Sequence, residues 1–291
     1  MHKILNMEQK RQEELEQLMI IIEEVRENHP TMCIRDMYYK IKPIFIGRDK
    51  FEAYCKEAGL MLKRKIKYCR TTNSSGVKRF PNLIKNIILT NINQVWQSDI
   101  TYYEIDDCFY YITFIIDAYS RRILGYSVSD NLMTANTTLP ALKMAIKNRK
   151  DSSLQGLILH SDGGGQYYAN TFLKLTSSAG IINSMCKQAY ENGKAERLNG
   201  VIKNNYLTHW QIDSYNKLVK MVDHAVLMYN LEKPHIKLKR KTPIEFENNL
   251  LNLHWEKTAT MTKSIDANVT NTLLFEGVEP SNKQGKKLLK I

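Results

Sequence analysis

Between Val95 and Ser129 the chain runs through three short segments, Val95–Glu104, Cys108–Asp117 and Ile123–Ser129, each rich in Ile, Val, Tyr and Phe. Only Asp106-Asp107 and Tyr119-Ser120 separate them. Runs of β-branched and aromatic residues this short, joined by breaks this tight, predict three antiparallel strands. Beyond Ser129 the period changes. A helix is expected over Thr134–Lys147, an apolar strand at Leu157–His160, a helix near Asn170–Ser178 and a strand at Ile181–Met185. Further helices are expected from about Asn192 to His209 and near Ser214–Tyr229. A meander of strands followed by strands alternating with helices describes an α/β fold, a mixed sheet covered by helices.

The segment before the sheet is of another kind. Leu15, Leu18, Met19, Ile22 and Val25 recur at helical spacing among Glu, Lys and Arg over residues 8–28, and His29-Pro30 should stop that helix. Ile34, Met37, Tyr38 and Ile41 predict a second, short helix, and Asp49–Ala58 a third that ends at Gly59. Two short helices around a break fit a helix-turn-helix and equally a small helical bundle, because that motif has no strongly diagnostic residues here.

Charge narrows the class of partner. Forty-two Lys and Arg against thirty Asp and Glu give a formal charge of +12, which attracts polyanions. An anionic membrane would satisfy the total equally well. The distribution says more: Ala58 to Ser98 contains no Asp or Glu, but does contain Lys63, Arg64, Lys65, Lys67, Arg70, Lys78, Arg79 and Lys85. A solvated face mixes signs, so this segment, built around Thr71-Thr72-Asn73-Ser74-Ser75-Gly76, reads as an arm that follows a phosphate backbone. No apolar run approaches the roughly 18 residues of a spanning helix, and the start lacks a signal-peptide pattern. The five cysteines are never in a C-x-x-C pair. These features read as a cytosolic protein with reduced thiols and no membrane partner.

Three acids carry the chemical interest. Asp99 lies inside the first strand, where a carboxylate is a poor strand former and a lone one faces solvent. Asp162 follows the apolar strand, before Gly163-Gly164-Gly165, at a strand end where ligands bind in open sheets. Glu196 lies on the predicted helix from Asn192; Asn192, Glu196 and Lys203 share one face, and Leu198 and Ile202 another. Each alone has a plain structural reading. Together they are hard oxygen ligands suited to Mg²⁺ or Mn²⁺, and clustered carboxylates repel unless divalent cations neutralise them. A pair of such ions supports in-line phosphoryl displacement. His160, on the face of Asp162, is read as a packed, hydrogen-bonded histidine, and Trp96, Tyr102 and Tyr110 as core aromatics.

The segments Val95-Trp96-Gln97-Ser98-Asp99-Ile100-Thr101-Tyr102, Asp117-Ala118-Tyr119-Ser120-Arg121-Arg122 and His160-Ser161-Asp162-Gly163-Gly164-Gly165-Gln166-Tyr167 resemble the integrase-type catalytic core of insertion-sequence transposases. Asn192, Ala195-Glu196, Lys203, Tyr229-Asn230, Pro234-His235 and Thr242-Pro243 extend the resemblance in order over roughly residues 90–250. It implies a ribonuclease-H-like five-stranded mixed sheet, and Asp99, Asp162 and Glu196 as both catalytic and metal-binding residues for two Mg²⁺ or Mn²⁺ ions. It further implies Lys203 as a DNA contact, Asp117 as structural, and strand cleavage and transfer on double-stranded DNA at element ends and target. Thirty-three residues separate Asp162 from Glu196, slightly fewer than is usual in that family, and Glu191 stands where an aspartate commonly precedes the asparagine. A shorter loop between Cys186 and Asn192 absorbs the difference.

The expected organisation is a helical, helix-turn-helix-like DNA-binding region at 1–60, a basic linker at 61–90, the catalytic core at 91–250 and a polar tail at 251–291. The family also implies a homo-oligomer on DNA, an upstream reading-frame product as fusion or partner, and a bacterial, nucleoid-associated protein. Two rival readings stand beside an active transposase: a related nuclease that cleaves without joining, and an inactive relic that only binds DNA.

Overall fold

The computed structural model describes residues 2–62, 80–186 and 189–252. The basic residues Lys63, Arg64, Lys65, Lys67, Arg70, Lys78 and Arg79 lie outside the described residues. Strand β1 (Val95–Ile105) turns at Asp106 and Asp107, both with positive φ, into β2 (Cys108–Asp117). Its register pairs Trp96 with Asp117 at one end and Ile105 with Cys108 at the other. β3 (Ile123–Ser129) continues the meander, and β4 (Ile158–Ser161) and β5 (Ile182–Met185) add in parallel, giving the order β3-β2-β1-β4-β5. This is the mixed five-stranded sheet with flanking helices that the sequence led us to expect.

Helices bury both faces of the sheet, and the side-chain period of two sends successive residues of β2 to opposite ones. Ile112, Phe114 and Ile116 of β2 face α6 (Gly193–Asn205) and α7 (Tyr215–Leu231), meeting Leu198, Ile202, Leu218 and Val222. Trp96, Ile115, Leu124 and Leu159 face α4 (Thr138–Lys147) and α5 (Asn170–Ser178), meeting Ala141, Ala145 and Phe172. Gly125 of β3 sits directly against the α4 backbone: a Cβ there would stand 2.0 Å from the Ala141 carbonyl oxygen. α4 begins four residues later than expected, after turns over 134–137, whereas β2, β3 and α5 have the expected bounds.

The three N-terminal helices, α1 (His2–Asn28), α2 (Ile34–Ile41) and α3 (Arg48–Glu57), share a small core of Leu18, Ile22, Met37, Phe51 and Cys55. They are tied to the sheet domain by polar contacts. The buried His29 ring meets Tyr206 Oη and Glu232, each at 3.1 Å, and Trp210 Nε1 donates to the Glu27 carbonyl at 3.2 Å. Lys40 pairs with Glu232 and Arg240 with Asp36. The described residues up to Glu247 form one compact unit. The chain is helical again over 243–252, opened by a capping box in which Glu245 N–H donates to Thr242 Oγ1 and Thr242 N–H donates back to Glu245 Oε2.

A network of charges supports the corner between β2 and β3. Asp117 is fully buried and accepts the amides of Asn93, Tyr119 and Ser120 at 2.7–3.0 Å. Beneath it, Glu247 accepts from Ser120 Oγ at 2.6 Å, Arg122 at 2.7 Å and Arg149 at 2.9 Å, and Arg149 Nε donates to Asn93 Oδ1 at 2.9 Å. Asn230 of α7 clamps the start of β3 with two bonds of 2.9 Å to the Ile123 backbone. Among the described residues no helix is long and apolar enough to cross a membrane, and the described cysteines are free thiols.

Candidate active site

The parallel register of β1 and β4 explains why two of the acids meet. Val95 lies opposite Ile158 and Gln97 opposite His160. Continued by two residues, the same register places Asp99 beside Asp162, and the period of two puts both on the face covered by α6. Asp162 lies just past the end of β4, where Gly164 N–H donates to its Oδ1 at 3.1 Å. Gly163 has φ +83, and a Cβ there would run into the Met185 side chain, so the turn after Asp162 depends on glycine.

α6 supplies the third acid. Asn192 precedes it and donates Nδ2–H to the Ser98 carbonyl at 2.9 Å, and Gln97 Oε1 accepts the Lys194 amide at 3.2 Å. Those two bonds seat the first turn of the helix on β1. One turn further, Asn199 Nδ2–H donates to Asp99 Oδ2 at 2.7 Å. Leu198 and Ile202 anchor the opposite face in the core, leaving Glu196 exposed on the side of the two aspartates. Asn199 escaped the sequence reading, although its position three residues after Glu196 places it on the same helical face.

Electrostatics link the three acids. Asp99 is pushed up to about 8, mainly by burial, then by the charge of Asp162, with Glu196 adding to it and the Asn199 bond opposing. Asp162 is raised by burial against the pull of its amide contacts, and Glu196 by burial and by Asp162. Among the described residues no three His, Cys, Asp or Glu side chains stand together as a formed metal cluster. The three acids feel one another's charge without converging on one point.

The other expected residues fall out differently. His160 is fully buried, with Nδ1 2.9 Å from Ser184 Oγ, and burial holds its pKa down at about 4. It packs as a neutral, hydrogen-bonded histidine. Lys203 donates Nζ–H to the Tyr102 carbonyl at 2.9 Å and lies 4.2 Å over the Tyr102 ring. Tyr102 is therefore no core aromatic: at 36% exposure it forms a surface platform for that ammonium. Trp96 is core, and Tyr110 is half-buried against α7 through Tyr215. Asp117 supports backbone amides only, in keeping with a structural part.

Two family models, each described as an integrase core domain, match residues 90–190 and 180–243. The insertion element IS600 uncharacterized 31 kDa protein of Shigella sonnei is 31% identical over 208 residues, covering 70% of this chain and 75% of that one. The transposase for insertion sequence element IS629 of the same species is 29% identical over 61% of this chain and 60% of its own length. A putative transposase for IS986/IS6110 of Mycobacterium tuberculosis is 37% identical over 38% of this chain and 41% of its own. Among solved structures, the HTLV-2 integrase catalytic core domain in complex with magnesium aligns at 24% identity and a TM-score of 0.44, over 53% of this chain and 96% of that one.

Proposed function

Because the chain belongs to the family of integrase-type insertion-sequence transposases, we propose that Asp99, Asp162 and Glu196 form the reacting centre of a metal-dependent DNA strand-transfer enzyme. The observation that carries this reading is the β1–β4 register, which brings Asp99 to Asp162 under the helix that bears Glu196. Three acids within reach of one another's charge, one raised to about 8, are what a cation site presents before it is neutralised. Hard carboxylate oxygens fit Mg²⁺ or Mn²⁺, and the neutral His160, turned toward Ser184, is not needed among the ligands. Held by these three acids, a pair of such ions would activate the attacking oxygen and offset the charge on the leaving one.

The reaction exchanges phosphodiesters. Water adds to phosphorus at the element end and frees a 3′-hydroxyl; that hydroxyl then adds to a target phosphorus and releases a target 3′-oxygen. Each joined strand costs one target bond and forms one new bond, so no external energy source is required. Within the protein, Asn199 holds the Asp99 carboxylate in one orientation, and the glycine turn after Asp162 packs closely against Met185. Lys203 on its Tyr102 platform, and the basic arm with Lys63, Arg64, Lys65, Lys67, Arg70, Lys78 and Arg79, contact phosphates. The helices α2 and α3 add DNA contacts, and the active species is a homo-oligomer on DNA, with an upstream reading-frame product as fusion or partner.

The test is strand cleavage and joining on a labelled duplex carrying the repeats that flank this reading frame, in Mg²⁺ or Mn²⁺. Joined product is expected from the native chain and none from Glu196→Gln, with DNA affinity retained in the variant. Cleavage without joining would replace strand transfer by simple hydrolysis. Silence from the native chain, alone and fused to the upstream frame, would sink the proposal.

A further inference from the structure

Two of the segments that carry the family resemblance, Pro234-His235 and Thr242-Pro243, have no part in the chemistry above, and they frame a loop. A backbone bridge closes its ends: His235 N–H donates to the Lys241 carbonyl at 3.0 Å, and Arg240 N–H to the His235 carbonyl at 2.9 Å. Inside it Ile236–Leu238 form one helical turn, with Lys239 N–H donating to the Ile236 carbonyl and Lys241 N–H to the Leu238 carbonyl, each at 3.1 Å. The frame faces inward. Leu238, Pro234, Thr242 and Pro243 are buried, and the His235 ring packs edge-on against Tyr229 at 4.8 Å between centroids. Arg240 ties the loop to α2, pairing with Asp36 and lying 5.0 Å from the centre of the Tyr39 ring.

What this frame holds out to solvent is positive. The stretch from Lys233 to Lys241 contains Lys233, Lys237, Lys239, Arg240 and Lys241 and no Asp or Glu. Lys237 and Lys239 are exposed and Lys241 half-buried, and among the described residues none of these three makes an ion pair. The flanking carboxylates are already engaged: Asp36 by Arg240, Glu232 by Lys40 and His29, and Glu245 by the Thr242 amide. Backbone conformation points the same way. Lys239 has φ 54 and Arg240 φ 63, the left-handed region that is unfavourable for a residue with a Cβ and open to glycine. Arg240 has a structural use there, its pair with Asp36. The exposed Lys239 side chain has no such pair among the described residues, and glycine would make the same turn with less strain. A long cation retained in a strained position on a closed loop is explained by a ligand that it contacts.

We propose that Lys237, Lys239 and Lys241 form a phosphodiester-binding loop that docks the backbone of double-stranded DNA beside α2. The site rests on the reading of this chain as a DNA strand-transfer enzyme and adds an anchor on the core itself, apart from Lys203 and the basic arm. Phosphate contacts set register and orientation without reading sequence, so the loop positions the duplex and does not select it. Because Arg240 joins the loop to α2, the core and the N-terminal helices hold that duplex in one orientation.

Fluorescence anisotropy of a labelled duplex across a salt series, in EDTA, tests it with the full native chain, Lys237→Gln, Lys239→Gly and a Lys237→Gln/Lys241→Gln double variant. Each lost phosphate contact should reduce the slope of log K against log salt by roughly 0.9 and weaken binding at every sequence. Ile236→Ser alters the loop without removing charge and should keep the native slope; a reduced slope there would trace the effect to loop shape and overturn the charge reading. Melting temperatures separate a ligand contact from a structural one. Lys239→Gly should melt at the native temperature or above while binding DNA more weakly, whereas a lower melting temperature with a native slope would make Lys239 structural and overturn the site. Lys237→Gln, outside the strained backbone, carries the test if Lys239→Gly does not fold. Unchanged slopes in all variants of a chain that does bind DNA would overturn the loop alone; a native chain that binds no DNA would overturn the functional reading. Anionic phosphatidylserine vesicles provide the remaining arm. Variants that lose vesicle binding but keep native DNA slopes would assign the loop to a membrane surface, and the DNA assignment falls.

Discussion

Replacing Glu247 by Gln should destabilise the protein more than any single change at its surface. The carboxylate is 3% exposed and accepts bonds from Ser120, Arg122 and both terminal nitrogens of Arg149. Arg149 is itself only 7% exposed, so a neutral partner leaves a buried guanidinium without compensation. Gln keeps the shape and one acceptor oxygen but turns an amide N–H₂ toward two cations. Removing one member of a buried pair costs about 3–5 kcal/mol. For a chain of this size 1 kcal/mol moves the melting temperature by about 2–4 °C, so a drop of roughly 6–20 °C is expected. Urea and thermal unfolding at pH 7 measure it. Burial alone would raise the Glu247 pKa, but the Arg149 bond and charge, with Ser120 and Arg122, bring it below the ordinary 4.5. The stability it contributes is thus present above pH 4.5 and lost as pH falls through the lower folded value, so the gap between native and variant should close in acid. Replacing Arg149 and Glu247 together by Met and Leu should cost much less than the single change. A single-variant loss below about 1 kcal/mol at pH 7, or a gap that widens in acid, would refute the reasoning.

Other consequences can be checked on the same protein. Gly125→Ala, which places a Cβ 2.0 Å from the Ala141 oxygen and 2.8 Å from the Ala145 nitrogen, should cost about 3 kcal/mol or more by forcing α4 off the sheet; an unchanged urea midpoint would disprove the close approach. Asn199→Ala should raise the Mg²⁺ concentration needed for half-maximal joining several-fold while leaving DNA affinity in EDTA unchanged; an unaltered metal requirement would remove Asn199 from the support of Asp99. Asp99, raised from 3.8 to about 8, favours the fold below pH 3.8, and that contribution is lost as pH rises toward 8. Mg²⁺ should therefore raise the melting temperature more at pH 8 than at pH 5, and an equal rise at both would contradict a cation seated on that acid.

The sheet was legible because its residues are locally consistent. Cys108–Asp117 and Ile123–Ser129 carry strand-forming residues on both faces and are bounded by Asp-Asp and Tyr-Ser turns, so their limits agree with the structure. The late start of α4 was not legible: Thr134–Thr137 can enter a helix by propensity, but Thr137 Oγ1 donates to the Met133 carbonyl and holds a turn instead. The helix at 243–252 was missed, although Thr242-Pro243-Ile244-Glu245 has the spacing of a capping box with proline in the first turn. At the site, the types and order of Asp99, Asp162 and Glu196 could be read as a set. Their partners could not, because Asn199 reaches Asp99 across 100 residues and Glu247 reaches Arg149 across 98. Tyr102 was misjudged for a related reason: alternation along a strand does not say which end of the sheet its covering helix leaves open.

The position of Glu247 also sets a schedule for synthesis. β1 and β2 can close as a hairpin as soon as they leave the ribosome, but the Asp117 corner stays without its carboxylate support until Glu247 has been made. At about 5–20 residues per second that interval lasts on the order of 6 to 26 s. During it Arg122 and Arg149 have no buried partner, and the sheet edge that carries β3 is clamped only once Asn230 arrives. A nascent chain therefore carries Asp99, Asp162 and Glu196 well before the β2–β3 corner has its carboxylate and its clamp, and a polypeptide released early would hold the three acids without that rigid frame.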